Sequence, residues 1–146
     1  MTRTIPFLKR LARNQSGSTL VEFALIGPAF LAMLFGVFQV AVLIQNYNAL
    51  RSVGDDLSRY VVVQHQKGAP VSQSDIQDTA VSIAASKPYY LDTAFLSVNS
   101  TTGTSAITGA DKVTLDLEYK SADFLQFFDV NGITLSFHKD LYVPSA

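Results

Sequence analysis

The sequence has no cysteine and only a small share of charged residues. Without cysteine the chain cannot form disulfides, use a thiolate nucleophile or bind zinc through sulfur, and nothing in it reports the redox compartment. Charged residues make up 16% of the 146 positions and leave a net charge of -1, which excludes a strongly basic nucleic-acid-binding protein. The 48% share of hydrophobic residues excludes a disordered polar chain.

An apolar segment without any charge runs for 22 residues from Phe23 to Ile44, with Gln39 as its one strongly polar side chain. As an α-helix rising about 1.5 Å per residue it would be roughly 33 Å long, enough for a hydrocarbon core of about 30 Å. A secretory signal peptide is the competing interpretation. Its apolar region is typically about 7–15 residues long and precedes a small-x-small site, which the sequence FQVAVLIQNYN lacks. The segment is therefore predicted to span a membrane once.

Acidic residues are absent from the first 17 positions, which carry four basic residues. Beyond Gly17 the chain has twelve acidic and seven basic residues. Because Lys and Arg are enriched on the cytoplasmic side of membrane helices, the N-terminus is predicted to stay in the cytoplasm. Everything after Ile44 is then predicted to lie in the periplasm or outside the cell.

Pro28, Ala32 and Gly36 recur at every fourth position of the apolar segment. On a helix they share one face and form a flat ridge suited to close packing against another helix. Proline also leaves a backbone carbonyl without its donor, which lipid tolerates only where a neighbour satisfies it. The spacing alone leaves open a simpler interpretation, in which these are ordinary residues of a lone anchor.

Glu22 lies at the cytoplasmic edge of the apolar segment. One interpretation is an interfacial acid that the positive end of its own helix stabilises by about 0.3–1 kcal/mol. In the other, a cut after Gly17 removes the basic head, makes Ser18 the new N-terminus and places Glu22 fifth in the mature chain. Opposite charges on neighbouring helices attract strongly in lipid, so that Glu22 would then guide assembly.

The stretch G-STLVEF resembles the class III leader of type IV pilin-like proteins, in which a prepilin peptidase cuts after a glycine and a glutamate stands fifth in the product. The following ALIGPAFLAMLFGVFQ is similar to the TadE-like pseudopilins of the tight adherence, or Flp, pilus system. The resemblance implies that Gly17 and Ser18 flank the cleaved bond. It also implies that Glu22 guides registration during assembly and that Phe23 completes a Glu-aromatic pair. Ser18 replaces the phenylalanine that begins many mature type IV pilins, so N-methylation is not implied.

Two helices are predicted in the remainder, residues 45–146. Apolar side chains recur at helical spacing after Ile44, at Leu50, Val53, Leu57, Tyr60 and Val61. The membrane helix should therefore continue as an amphipathic stalk that ends at the sequence QKGAP. Ser74 to Gln77 has the Ser-x-x-Gln form of a capping box and predicts the start of a second helix, which Lys87-Pro88 closes. Its apolar face comprises Ile76, Ala80, Ile83 and Ala84.

Period-two alternation predicts strands over residues 113–120 and 133–143, with a weaker strand at 94–99 before them. The small polar residues from Asn99 to Asp111 predict a flexible loop. Three short strands covered on one face by two helices make a small α+β domain with an antiparallel, pilin-like sheet.

A cluster of apolar residues interrupts the connection between the last two strands, at Phe124, Leu125, Phe127 and Phe128. Such a cluster either folds back as core or forms an exposed tip that contacts a neighbouring subunit.

The sequence contains no recognisable catalytic, metal-binding or cofactor-binding motif. Its two histidines, His65 and His138, are not at metal-ligand spacing, and both are expected on the solvated surface. A membrane-tethered enzyme would need a convergent pocket around one of them.

Together these features predict a structural pseudopilin or minor pilin of a tight-adherence system, without enzymatic activity, cofactor or metal. Residues 1–17 would be a removed leader, 18–44 the transmembrane assembly helix and 45–146 the body. The resemblance implies a prepilin peptidase, major and other minor pilins and the inner-membrane assembly platform as partners, and a role in initiation, priming or the tip of an adhesive pilus. The alternative is an uncleaved single-pass anchor that presents a small periplasmic binding domain.

Overall fold

The computed structural model describes residues 16–121 and 132–145, which form an α+β structure. It confirms the predicted fold class, a long N-terminal apolar helix followed by a second helix and a three-stranded antiparallel sheet. The elements are helix α1 (Ser16–Gln66), helix α2 (Gln73–Ala85), a single 3-10 turn (Thr93–Phe95) and strands β1 (Leu96–Thr104), β2 (Ala110–Lys120) and β3 (Thr134–Pro144).

The chain divides into two units, residues 1–38 and 39–146. In the first unit α1 carries large apolar side chains that are mostly exposed, and Pro28 lies inside the helix without ending it. Within the described residues, α1 is the one helix long and apolar enough to cross a membrane, and almost none of its apolar window is buried. Such an apolar, uncovered helix is typical of a membrane anchor rather than of a core helix.

The second unit is built on an antiparallel sheet in the order β1-β2-β3. Val98 pairs with Leu117, and Leu117 pairs with Phe137, so that alternate residues of all three strands share the inner face. Helices α1 and α2 supply the rest of the core. Among the described residues, the fully buried core side chains include Leu50, Val53, Leu57, Val61, Ala80, Ala84, Val113, Leu115, Leu117 and Val143. The predicted apolar stripe of α1 is thus confirmed as the core face of the stalk.

The start of α2 differs from the prediction. Its capping box is formed by Ser72 and Asp75, where the Asp75 N–H donates to Ser72 Oγ at 3.2 Å and the Ser72 N–H donates to Asp75 Oδ2 at 3.3 Å. The sequence SQSDIQ contains two overlapping cap patterns, and the pair Ser74 and Gln77 was the wrong one. Gln77 instead donates its side-chain amide to the carbonyl of Val98 at 2.9 Å, which joins α2 to β1.

The prediction of a flexible loop over residues 99–111 is also wrong for most of that range. β1 continues to Thr104, and β2 already begins at Ala110. Thr101 lies opposite Thr114 in the sheet, and most of the second half of β1 is exposed. A polar composition therefore marks a solvated strand face here, because threonine suits a pleated surface as well as a loop. Only residues 105–109 connect the strands, and Gly109 supplies the positive φ of +79°.

Candidate functional site

The predicted cleavage and charge-pairing residues lie at the start of α1. Gly17 is exposed, and a Cβ added there would meet no other atom within 4 Å. Glu22 follows Ser18 by four residues, one helical turn, so that the two positions lie on the same face of the helix. Phe23 is 76% exposed. The structure thus places Gly17, Ser18, Glu22 and Phe23 in the first two turns of one helix, while their roles stay predictions.

The predicted packing ridge occupies the middle of the apolar part of α1. Pro28 is exposed, Ala32 and Gly36 are half-exposed, and a Cβ added at Gly36 would meet no atom within 4 Å. Next to the ridge the Phe23 ring lies over Gly27, at 3.8 Å from the position of an added Cβ. The resulting shallow apolar groove is lined by Phe23, Ala24, Ile26, Gly27, Pro28, Phe30 and Leu31. This face is open to a neighbouring helix, and helix packing through it stays a prediction.

The predicted subunit-contact cluster, Phe124, Leu125, Phe127 and Phe128, lies outside the described residues. The residues on either side, up to Ser121 and from Gly132 onward, belong to the described part of the chain. The backbone N–H of Ser121 donates to the carbonyl of Ile133 at 3.1 Å, which closes the end of the β2–β3 pair. The Asn46 side chain of α1 donates to Ser121 Oγ at 3.1 Å, so that this end of the sheet is tied to α1 just beyond the apolar segment.

Adjacent carboxylates on α1 hold the helix to two different parts of the body. Lys139 Nζ of β3 donates to Asp55 Oδ1 at 2.7 Å, and Tyr89 Oη donates to Asp56 Oδ2 at 2.7 Å. The hydrogen bond to Asp56 raises the pKa of Tyr89, with burial and the carboxylate charge adding to it. The sequence has no local signal for either contact, because both join distant parts of the chain.

A row of charges covers the outer face of the sheet around His138. His138 Nδ1 lies 2.5 Å from Asp116 Oδ1, and its Nε2 lies 3.7 Å from Asp140. The hydrogen bond to Asp116 is the largest cause that raises the pKa of His138. Hydrogen bonds from Lys112 and Thr114 lower the pKa of Asp140. These groups are exposed or half-exposed on an open surface, so each ion pair is worth little in stability.

The histidines fall in separate environments. His138 is exposed on the polar face of β3, as expected. His65 is half-buried near the end of α1, and its Nδ1 donates to the carbonyl of Val61 at 3.0 Å, so it is less solvated than expected. Within residues 16–121 and 132–145, no group of three histidine or acidic residues is placed to hold a metal ion.

Comparison with known families gives a match to part of the chain. Residues 17–59 match the family described as TadE-like protein. Comparison with curated proteins and comparison with solved structures each gave no significant match. The matched segment begins at Gly17 and contains Glu22 and the packing ridge. TadE-like pilins are structural proteins rather than enzymes, and the match suggests a pilin associated with the Tad pilus. Over residues 17–59 the chain is therefore similar to the TadE-like family, consistent with a TadE-like pilin of the Tad system.

Proposed function

We propose that the chain is a pseudopilin or minor pilin that acts in the assembly of a tight-adherence pilus used in adhesion. Residues 1–17 form a leader that a prepilin peptidase removes, residues 18–44 span the inner membrane with the N-terminus in the cytoplasm, and residues 45–146 form the periplasmic body. The family match carries this proposal, because it begins at the glycine that precedes the proposed cut.

The exposure of α1 supports membrane insertion followed by assembly. Phe23, Leu25 and Met33 are each more than 70% exposed on a helix that carries no charge from Phe23 to Ile44. Contiguous apolar surface of this kind is stable only against lipid or other apolar helices. The helix can therefore move from the bilayer into contact with the helices of major and other minor pilins, with the inner-membrane assembly platform as the site of transfer.

The folded body supports a role in initiation, priming or the tip of the pilus. Major Flp pilins are nearly bare helices, whereas this chain has a sheet and a second helix packed on the stalk. Leu50 and Leu57 are both fully buried under this body. A body that covers the stalk on one side suits a subunit used in few copies better than one repeated along a thin filament.

Intact-mass and N-terminal analysis of membrane-extracted protein tests the proposal, with and without the matching prepilin peptidase. With the peptidase, the mature chain should begin at Ser18. Gly17→Val should block the cut without disturbing the helix, since an added side chain at position 17 meets no neighbour within 4 Å. Gly36→Val makes the same chemical change at another open position of α1 and should be processed normally. Full-length protein under both conditions would instead support an uncleaved single-pass anchor.

A further inference from the structure

The contacts between α1 and β3 fix which end of the body lies near the membrane. Asn46, two residues past the apolar segment, binds Ser121 at the β2–β3 end of the sheet. Further along α1, toward its C-terminal end, Gly54 lies against the ring of Phe137, and Asp55 binds Lys139. The partners on β3 thus follow in the same order as the residues of α1.

The spacings along the two elements agree. From Asn46 to Gly54 the helix rises about 12 Å at 1.5 Å per residue. From Ile133 to Phe137 the extended chain advances about 13 Å at 3.3 Å per residue. β3 therefore runs alongside the part of α1 that follows Ile44, and away from Ile44. The connection of β1 to β2, residues 105–109, lies at the far end of the sheet, because Asp111 pairs with Val143.

With the hydrocarbon core ending at Ile44, as in the proposed span, the near end of the sheet falls within the thickness of a phospholipid headgroup layer. Asn46 is about 3 Å of helix rise beyond Ile44, whereas the headgroup layer is about 5–8 Å thick on each side of the hydrocarbon core. No spacer separates Ile44 from the body, since Leu50 is already fully buried. The residues at this end are suited to such a layer: Tyr47 is 45% exposed, Ile133 is 47% exposed, and Lys120 is an exposed cation.

We infer that the β2–β3 end of the sheet, at Lys120 and Ile133, rests in the phospholipid headgroups of the outer leaflet of the inner membrane before the subunit is assembled. Lys120 reaches headgroup phosphates, and Ile133 lies at the boundary with the acyl chains. The proposed contact is argued from Lys120 and Ile133 alone. The inference rests on the proposed membrane span.

A consequence is that residues 105–109, at the opposite end of the sheet, lie away from the headgroups. Extraction into a pilus then has to remove the sheet end from the headgroups as well as the helix from the acyl chains.

Depth-dependent fluorescence quenching tests this inference on the full chain. The absence of cysteine allows single labels at Ile133→Cys, Ile107→Cys and Leu34→Cys, each carrying a nitrobenzoxadiazole dye. The labelled proteins are reconstituted into vesicles of phosphatidylethanolamine and phosphatidylglycerol that contain a spin label either on the headgroup or in the middle of the acyl chain. Ile107, in the distal turn and 53% exposed, is the matched control for Ile133.

Headgroup quenching at position 133 should exceed that at position 107 by about twofold or more, because the headgroup layer is only about 5–8 Å thick. Acyl-chain quenching should be strongest at position 34. Equal headgroup quenching at 133 and 107, with position 34 still quenched, would overturn the headgroup contact and leave the membrane span standing. A lack of quenching at position 34 would overturn the span itself, and with it both the inference and the proposed function.

Discussion

Replacing Gly54 with alanine should destabilise the body because of one neighbour, Phe137. A Cβ at Gly54 would lie 2.8 Å from the Phe137 Cζ and nearer still to two other ring carbons. Forcing a methyl group into a packed site costs about 1–3 kcal/mol. Alanine in place of glycine inside a helix stabilises the fold by about 1 kcal/mol through its higher helix propensity. Since three ring atoms overlap the new methyl group, we expect the upper part of the range for overpacking. After the helix-propensity gain, the free energy of unfolding should fall by about 1–2 kcal/mol.

The sign of this effect should reverse when the ring is removed. In a Phe137→Ala background the same Gly54→Ala change loses its clash and keeps the helix-propensity gain, so it should stabilise by up to about 1 kcal/mol. The free energy of unfolding can be measured on the full chain in detergent from the near-ultraviolet circular dichroism of the tyrosines. Gly103→Ala is the control, because an added Cβ there meets no atom within 4 Å. An equal effect of Gly54→Ala in both backgrounds would refute the close contact, since a double-mutant cycle would then show no coupling.

Three further predictions concern the helix starts and the outer face of the sheet. Glu22→Gln should leave membrane insertion intact and reduce incorporation into pili or partner complexes, as measured by co-purification. Ser72→Ala should cost about 1 kcal/mol of unfolding free energy through loss of the N-cap, whereas Ser74→Ala should cost less. The pKa of His138 is raised above 6.5 by its hydrogen bond to Asp116, so this contribution to stability is complete below pH 6.5 and is lost as pH rises through the folded-state pKa. Nuclear magnetic resonance titration should show that Asp116→Asn lowers the pKa of His138.

Each of these predictions has an outcome that contradicts it. Unchanged incorporation of Glu22→Gln would remove the charge-pairing role and favour the interfacial acid. A larger loss at Ser74 than at Ser72 would show that α2 starts two residues later than described. An unchanged His138 pKa in Asp116→Asn would mean that another group, such as the nearby Asp140, sets the titration.

Local patterns in the sequence predicted most of the architecture, because they depend on residues close together in the chain. The helical stripe from Leu50 to Val61 predicted the core face of α1, and alternation predicted β2 and β3 to within three residues. The cap of α2 was misplaced because two serines compete within one short sequence. β1 was cut short because an exposed polar strand and a loop have similar compositions, and only pairing with β2 distinguishes them.

The contacts that orient the body were not predictable in this way. No local pattern marks Gly54 as a packing position, yet its missing side chain is what admits Phe137. Asn46 with Ser121 and Asp55 with Lys139 join residues 75 and 84 positions apart. Such pairs have no local signature, since each partner alone is an ordinary polar residue on a helix or strand.

Lys139 interrupts the apolar face of β3, and the structure gives a physical reason for it. It follows Phe137 and precedes Leu141 on the side of the strand that faces α1, and β3 is an edge of the sheet. A charged residue directed inward on an edge strand discourages pairing with the edge of another sheet. Replacing it with valine would make the face of β3 continuous and leave Asp55, which is 53% exposed, solvated.

Lys139→Val should therefore change stability by less than about 1 kcal/mol, as expected for an exposed ion pair, while increasing self-association. Sedimentation velocity of the full chain in detergent measures this, with Lys139→Gln as the control that removes the charge but keeps a polar group. Greater self-association of the valine variant alone would show that apolar continuity drives edge pairing. Equal association of both variants would assign the effect to lost charge, and none in either would show that Lys139 serves only to hold β3 to α1 through Asp55.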